Sequence, residues 1–324
     1  MPIPRKYLVD NESAGFYHCI SRCVRRAYLC GEDSETGQNY NHRKAWLEKR
    51  MLELADIFAV SLYSYAVMDN HYHLVLKLDP KAPILWSDEQ IAERWLLAYP
   101  GRLDKPENAE LRELRKQAII ADKVKLEKYR KRLGKLSWFM SRLNEPLAKQ
   151  SNQEDCVKGR FWESRYQSIP LLDETSVLAC MAYVDLNPIR SGLTQELEAS
   201  LYTSIKIRID KLKSSTIQMN ESLVPVNHSK DESLYSFNLN DYLVLVDWTG
   251  RAIVHPNKAS IPPNISSIFH RLNLQKGNWL DQIQRLCHGQ PTMMGSIDKL
   301  KEKAKAIKKR WVKGIGQARL LYQS

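Results

Sequence analysis

The stretch that decides the fold is Met68-Asp-Asn-His-Tyr-His-Leu-Val-Leu76. Side chains in a strand alternate between two faces, so His71, His73 and Val75 share one side while Tyr72, Leu74 and Leu76 share the other. An equally apolar run, Val60–Met68, precedes it, and Asp69-Asn70 stands between the two. That pattern predicts a β-hairpin, Val60–Met68 with His71–Leu78. Two imidazoles on one strand face can occupy neighbouring positions around a divalent ion. Such a pair is also common as plain structure, each ring satisfying a hydrogen bond.

Outward from the hairpin, Gly15–Cys30 is rich in aromatic and β-branched residues and reads as a strand with a basic exit at Arg22, Arg25 and Arg26. Asn41–Ala59 carries Trp46, Met51, Leu52 and Ile57 among charges and reads as an amphipathic helix. Residues 80–156 read as a helical insertion, with Glu107–Arg132 as one long charged helix. Its stretch from Lys123 to Lys135 holds seven basic residues and one acidic, either a solvated face or a phosphate-facing one. Lys135–Gln150 is a further helix, broken or kinked at Pro146. Lys158–Leu172 reads as extended, and Asp173–Asn187 as a helix capped by Asp173 and terminated by Pro188. Residues 201–238 are polar and read as a linker. Beyond them Tyr242–Val246 reads as a short apolar element ending in a turn at Asp247-Trp248-Thr249-Gly250.

The chain's 324 residues, 43% hydrophobic and 27% charged, suffice for a large domain and a smaller one. With no run of 18 apolar residues and no apolar secretory core at the N-terminus, the expectation is a cytoplasmic protein with no membrane association. Cys19, Cys23 and Cys30 lack a partner pair at zinc-finger spacing, so the six cysteines read as free thiols. The net charge is +12, and the last 26 residues, with nine basic and one acidic, carry +8 of it. Ile297, Leu300, Ala304, Ile307 and Trp311 recur there at helical spacing between Ser296 and Gly314. A basic face displayed on a docked helix, with Lys308, Lys309 and Arg310 among its charges, favours a polyanionic partner.

A second constellation lies on the helix 173–187, where Tyr183 and Asn187 stand one turn apart. A phenol, with a reference pKa near 10, needs a nearby donor or cation before it attacks. An amide one turn away can add a neutral oxygen to His71 and His73, a set suited to octahedral Mg²⁺ or Mn²⁺ holding a phosphate oxygen. The plainer reading packs Tyr183 in the core and leaves Asn187 as a helix-end residue.

The blocks MDNHYHLVL (68–76), GRFWESRYQS (159–168), MAYVDLNPIRSGL (181–193) and FYHCISR (16–22) together resemble the REP-associated tyrosine transposases, a group of single-tyrosine HUH endonucleases. The resemblance covers residues 1–200, and more loosely an extension from about 235. It implies an α/β (α+β) fold: a ferredoxin-like antiparallel sheet with packed helices, here with the helical insertion and a mostly helical basic extension at 239–324. It implies that His71, His73 and Asn187 hold Mg²⁺ or Mn²⁺ and that Tyr183 is the nucleophile, forming a 5′-phosphotyrosine. Tyr166 is the less favoured tyrosine. The implied partner is single-stranded DNA with hairpin-forming palindromic repeats, handled by a monomer or a homodimer. Arg22, Arg160, Trp162, Arg165 and Tyr166 suit such a strand, because aromatic rings stack on unpaired bases between cations that meet phosphates. The competing expectations are a non-catalytic DNA-binding regulator and a metal phosphodiesterase that uses water.

Overall fold

In the computed structural model the described residues are 3–24, 30–31, 37–101, 108–227, 234–254, 268–270 and 275–322. Arg25 and Arg26, singled out above, lie outside them. The short helix α1 (Arg5–Leu8) leads into β1 (Gly15–Arg22), α2 (His42–Ile57), β2 (Val60–Val67) and β3 (His71–Leu78). The helices α3 (Asp88–Ala98), α4 (Ala109–Ala121), α5 (Lys123–Leu133) and α6 (Leu136–Glu154) precede β4 (Gln167–Leu171). After it come α7 (Glu174–Asp185), α8 (Asn187–Arg190), α9 (Ser204–Lys213), β5 (Ser222–Leu223) and β6 (Leu234–Asn238). The chain ends through α10 (Leu239–Val254), α11 (Lys276–His288), α12 (Ile297–Ala306) and α13 (Ile315–Leu321).

The fold is mixed α/β, built on one four-stranded antiparallel sheet in the order β2-β3-β1-β4. The hairpin forms as expected, and its alternation divides the protein into two cores. Tyr72, Leu74, Leu76 and Leu78 face α2, α3 and α6 together with Tyr17, Cys19, Leu62 and Tyr65. Val75 faces α7, α9, α10 and α11 with Ile169, Leu171 and Tyr63. A sheet covered on both sides must be apolar on both, which is why β2 is buried along its whole length.

Several elements depart from the sequence reading, each for a local reason. β1 ends at Arg22, and Cys23 makes only an isolated bridge to Trp162. The long charged helix is two helices, because Asp122 leaves helical geometry and its carboxylate accepts from the Lys125 amide at 2.9 Å. Pro146 does not break α6: Leu143 and Leu147 on either side are both buried, and their packing outweighs one missing hydrogen bond. Residues 201–238 contain a packed helix where a linker was expected, since Ile205, Arg208 and Ile209 of α9 are buried. The turn expected at 247–250 is the interior of α10. Gly250 faces the residue between α7 and α8: an added Cβ would lie 2.9 Å from Leu186 Cδ2, so that side chain would have to shift. Pro188 does not end a helix but opens α8, after a break at Leu186. The basic helix ends at Ala306, so Lys308 to Trp311 lie beyond it, Lys308 has φ +56° and Trp311 is exposed.

Among the described residues no helix is long and apolar enough to cross a membrane. Cys19, Cys23, Cys30 and Cys180 are buried free thiols and Cys156 is exposed.

A buried polar knot fixes α7 to its neighbours. The Asp185 carboxylate, fully enclosed, accepts from Ser64 Oγ, Ser204 Oγ, the Ile205 amide and the Tyr242 hydroxyl. Burial pushes its pKa up, and these donors oppose that shift. Beside it the buried Arg208 guanidinium donates to the Tyr63 carbonyl at 2.8 Å. Stranding those donors is expensive, so Asp185→Ala is expected to cost about 3 kcal/mol of stability by urea denaturation. A loss below about 1 kcal/mol would mean that the knot holds little.

Candidate functional site

Register brings the site together. In the antiparallel pair β1–β3, Arg22 lies opposite His71, Ile20 opposite His73 and His18 opposite Val75. All six therefore share the sheet face on which α7 rests. His18 was not anticipated as a site residue, although the period-two series His18, Ile20, Arg22 facing the HxH strand was a signal for it. The buried rings of His18 and His73 stack, with His18 Nε2 and His73 Nδ1 sharing a hydrogen bond of 2.9 Å. His71 Nδ1 is held by Asn70 Oδ1 at 2.5 Å.

Tyr183, on α7, comes down on these rings edge-on. Its ring centroid lies 5.6 Å from that of His73 and 6.1 Å from that of His18. Two neighbours not anticipated from sequence approach the same tyrosine. The Arg190 guanidinium sits 4.6 Å from the ring centroid, and Gln290 Nε2 donates to the Tyr183 hydroxyl at 3.2 Å. His71, His73, Tyr183, Arg22, Gln167 and Gln290 wall one cavity of about 540 Å³. Asn187 is not on that wall. The break at Leu186 sets it in α8 instead of on the same helix as Tyr183, buried, with its Nδ2 unpartnered.

Burial keeps the three imidazoles neutral. It pushes His18 down to about 3, helped by the nearby His71. His71 falls to about 4 through burial and the Arg22 charge, and His73 falls well below the usual histidine range for the same reasons, with His71 also acting on it. A metal ligand must be deprotonated, and these rings already are. With its Nδ1 committed to His18, His73 has a buried Nε2 without a hydrogen-bond partner. A cation there would select the tautomer in which His73 Nδ1–H donates to His18. The imidazoles of His71 and His73 thus fit a divalent ion with open positions. Among the described residues no cluster of three or more His, Cys, Asp or Glu side chains forms a larger ligand set.

A groove of about 760 Å³ adjoins the cavity, and Glu163 and Ser164 belong to the walls of both. Arg160, Trp162, Arg165 and Tyr166 line the groove together with Arg5. Arg160 and Arg165 are exposed. Trp162 is half-buried, anchored by Nε1 donating to the Asn144 carbonyl at 3.0 Å. Tyr166 is buried, and the Arg5 guanidinium covers its ring at 3.6 Å. Lys308, Lys309 and Arg310 are exposed and do not line this cavity or groove.

No protein-family profile and no curated protein matches this chain. Among solved structures, a REP-associated tyrosine transposase bound to a REP hairpin aligns over 71% of this chain and 93% of its own, at 11% identity and a TM-score of 0.34.

The neutral imidazoles set the acid behaviour. The unfolded chain takes up protons near pH 6.5 while folded His18 resists until about pH 3, so acidification favours unfolding across that interval. Stability contributed by the buried neutral ring is complete above pH 6.5 and is lost as pH falls towards 3. The melting temperature is therefore expected to drop from pH 6.5 to 4, and His18→Gln to make that drop shallower. An equal slope in the variant would contradict this origin.

Proposed function

We propose that this protein is a metal-dependent single-stranded DNA endonuclease and strand transferase of the transposase kind, acting through a 5′-phosphotyrosine at hairpin-forming repeat DNA. The observation that carries the reading is the convergence of His71, His73 and Tyr183, from β3 and α7, on one cavity. The strand order β2-β3-β1-β4, with α2 and α6 against one face, supports the ferredoxin-like arrangement implied by the HUH resemblance.

His71 and His73 would hold Mg²⁺ or Mn²⁺. Bound there, the ion supplies Lewis acidity towards a non-bridging oxygen of the scissile phosphate. Arg22, at the cavity wall, neutralises phosphate charge. The Tyr183 oxygen attacks phosphorus in line, and its proton leaves to solvent. The phosphorus–O3′ bond breaks as the new ester forms, and the departing 3′ oxygen takes a proton from water. The Arg190 guanidinium beside the ring stabilises the phenol oxygen as it gains charge. Attack by another 3′-hydroxyl reverses the step and rejoins a strand, because the ester conserves the phosphodiester linkage.

The adjoining groove suits an unpaired strand, with Arg160 and Arg165 meeting phosphates beside Trp162. Duplex stems are held chiefly through phosphates. Asn187, the third ligand implied by the resemblance, is buried and is not among the residues that line the cavity, so His71 and His73 are the ligands proposed.

The direct test mixes the protein with a labelled single-stranded hairpin and Mn²⁺, then resolves products on a denaturing gel. A covalent protein–DNA adduct is expected, absent in Tyr183→Phe and strongly reduced in His71→Ala, with DNA binding near native in the tyrosine variant. An adduct that survives Tyr183→Phe would sink the assignment. Cleavage without any adduct would point to water as nucleophile, and binding without cleavage to a regulator.

The charge beyond α12 adds non-specific affinity. Changing Lys308, Lys309 and Arg310 to alanine is expected to make the slope of log affinity against log salt shallower by about 2, at roughly 0.7 per single-strand phosphate contact. An unchanged slope would place those charges away from DNA.

A further inference from the structure

Gln290 belongs to the C-terminal extension, yet its amide reaches the hydroxyl of the tyrosine on α7. Nε2 donates both to Tyr183 Oη at 3.2 Å and to the Leu286 carbonyl, in the last turns of α11, at 3.0 Å. Leu286 is itself buried against the core that holds Tyr183. Leu286, Gly289 and Gln290 all line the cavity that His71, His73 and Tyr183 line.

The segment is not loosely laid there. Four residues on, the Met294 amide donates to the Pro170 carbonyl at 2.9 Å, and the Leu172 amide donates to the Met294 carbonyl at 2.8 Å, so the extension pairs with the end of β4. Asp173, which caps α7, also accepts from the Ser296 amide at 2.5 Å and from the Tyr322 hydroxyl at 2.6 Å. On the other side Trp279 Nε1 donates to Thr249 Oγ1 of α10 at 3.0 Å. Gln290 is therefore suspended between two fixed points, with α7 and its tyrosine gripped by the same extension.

We infer that Gln290 is a positioning residue for Tyr183, supplied by the C-terminal extension to complete the nucleophile's site. This rests on the reading of Tyr183 as nucleophile. An amide that donates to the phenol oxygen does two things at once. It fixes the direction in which the remaining lone pair points, which matters because a displaced nucleophile loses rate steeply. It also meets the negative charge that grows on that oxygen as the proton departs, without adding charge that would repel a phosphate. The second hydrogen bond, to Leu286, keeps the donor aimed when DNA arrives. The extension is thereby part of the chemistry and not only an appended basic surface.

The test uses the full chain, Mn²⁺ and a single-stranded hairpin oligonucleotide under single-turnover conditions, reading adduct rate and DNA affinity separately. Gln290→Met keeps the length and loses the donor. Its adduct rate at saturating DNA is expected to fall about tenfold, the worth of one such hydrogen bond, with affinity and melting temperature unchanged. Gln290→Glu, equal in size with an acceptor in the donor's place, is expected to fall further. A native rate in both variants overturns the proposal. So does a fall in rate matched by an equal fall in affinity and melting temperature, which would make Gln290 structural. If instead the native chain forms no adduct, or Tyr183→Phe still forms one, the reading of Tyr183 fails, and the Gln290 variants are not needed to show it.

Discussion

β3 is buried along its middle on both faces, and it carries His71 at its partly buried start and His73 within the buried stretch. Their rings can be there only as neutral imidazoles, and each nitrogen needs a partner or a ligand. His18 answers for one nitrogen of His73, and Asn70 for one of His71. His73 Nε2 is left buried without a hydrogen-bond partner, and both histidines line the cavity that Tyr183 also lines. The two cores, the neutrality of the rings and the approach of Tyr183 all follow from which side of β3 each residue occupies. A slip of one residue in the β1–β3 register would send Tyr72 into the cavity and both imidazoles into the α2 core.

Holding α7 over that sheet takes more than apolar contact. The helix is enclosed along nearly its whole length, which makes its placement strong but not directional. Direction comes from its two ends. Asp173 caps the N-terminus while binding the extension, and Asp185 near the C-terminus gathers donors from β2, α9 and α10. Between these polar anchors Tyr183 has little freedom to swing. The extension therefore shapes the site twice, through the anchor at Asp173 and through the amide at Tyr183.

The legible parts of the sequence were those governed by short-range patterns. HYHLVLKL gave its hairpin, its faces and its imidazole pair through alternation alone, and Asp173 announced the start of α7. Less was visible where packing overrode a local signal. Pro146 sits inside a continuous helix, Gly250 inside another against the Leu186 side chain, and the polar stretch after residue 201 hides α9. Tyr183 and Asn187 looked like one face of one helix until Leu186 broke it. Arg190 and Gln290 could not be read as site residues, since one follows the break and the other lies 107 positions from the tyrosine it contacts. Only tertiary register brings them there.

In the proposed site His71 and His73 would hold one divalent ion in the cavity that Tyr183 also lines. Anomalous diffraction from crystals of the full chain soaked in Mn²⁺ tests it most directly. A single strong peak is expected in the cavity, bonded to both His71 and His73 and near Tyr183. Soaked crystals with that cavity free of anomalous density, or with manganese bound only at other residues, would contradict it.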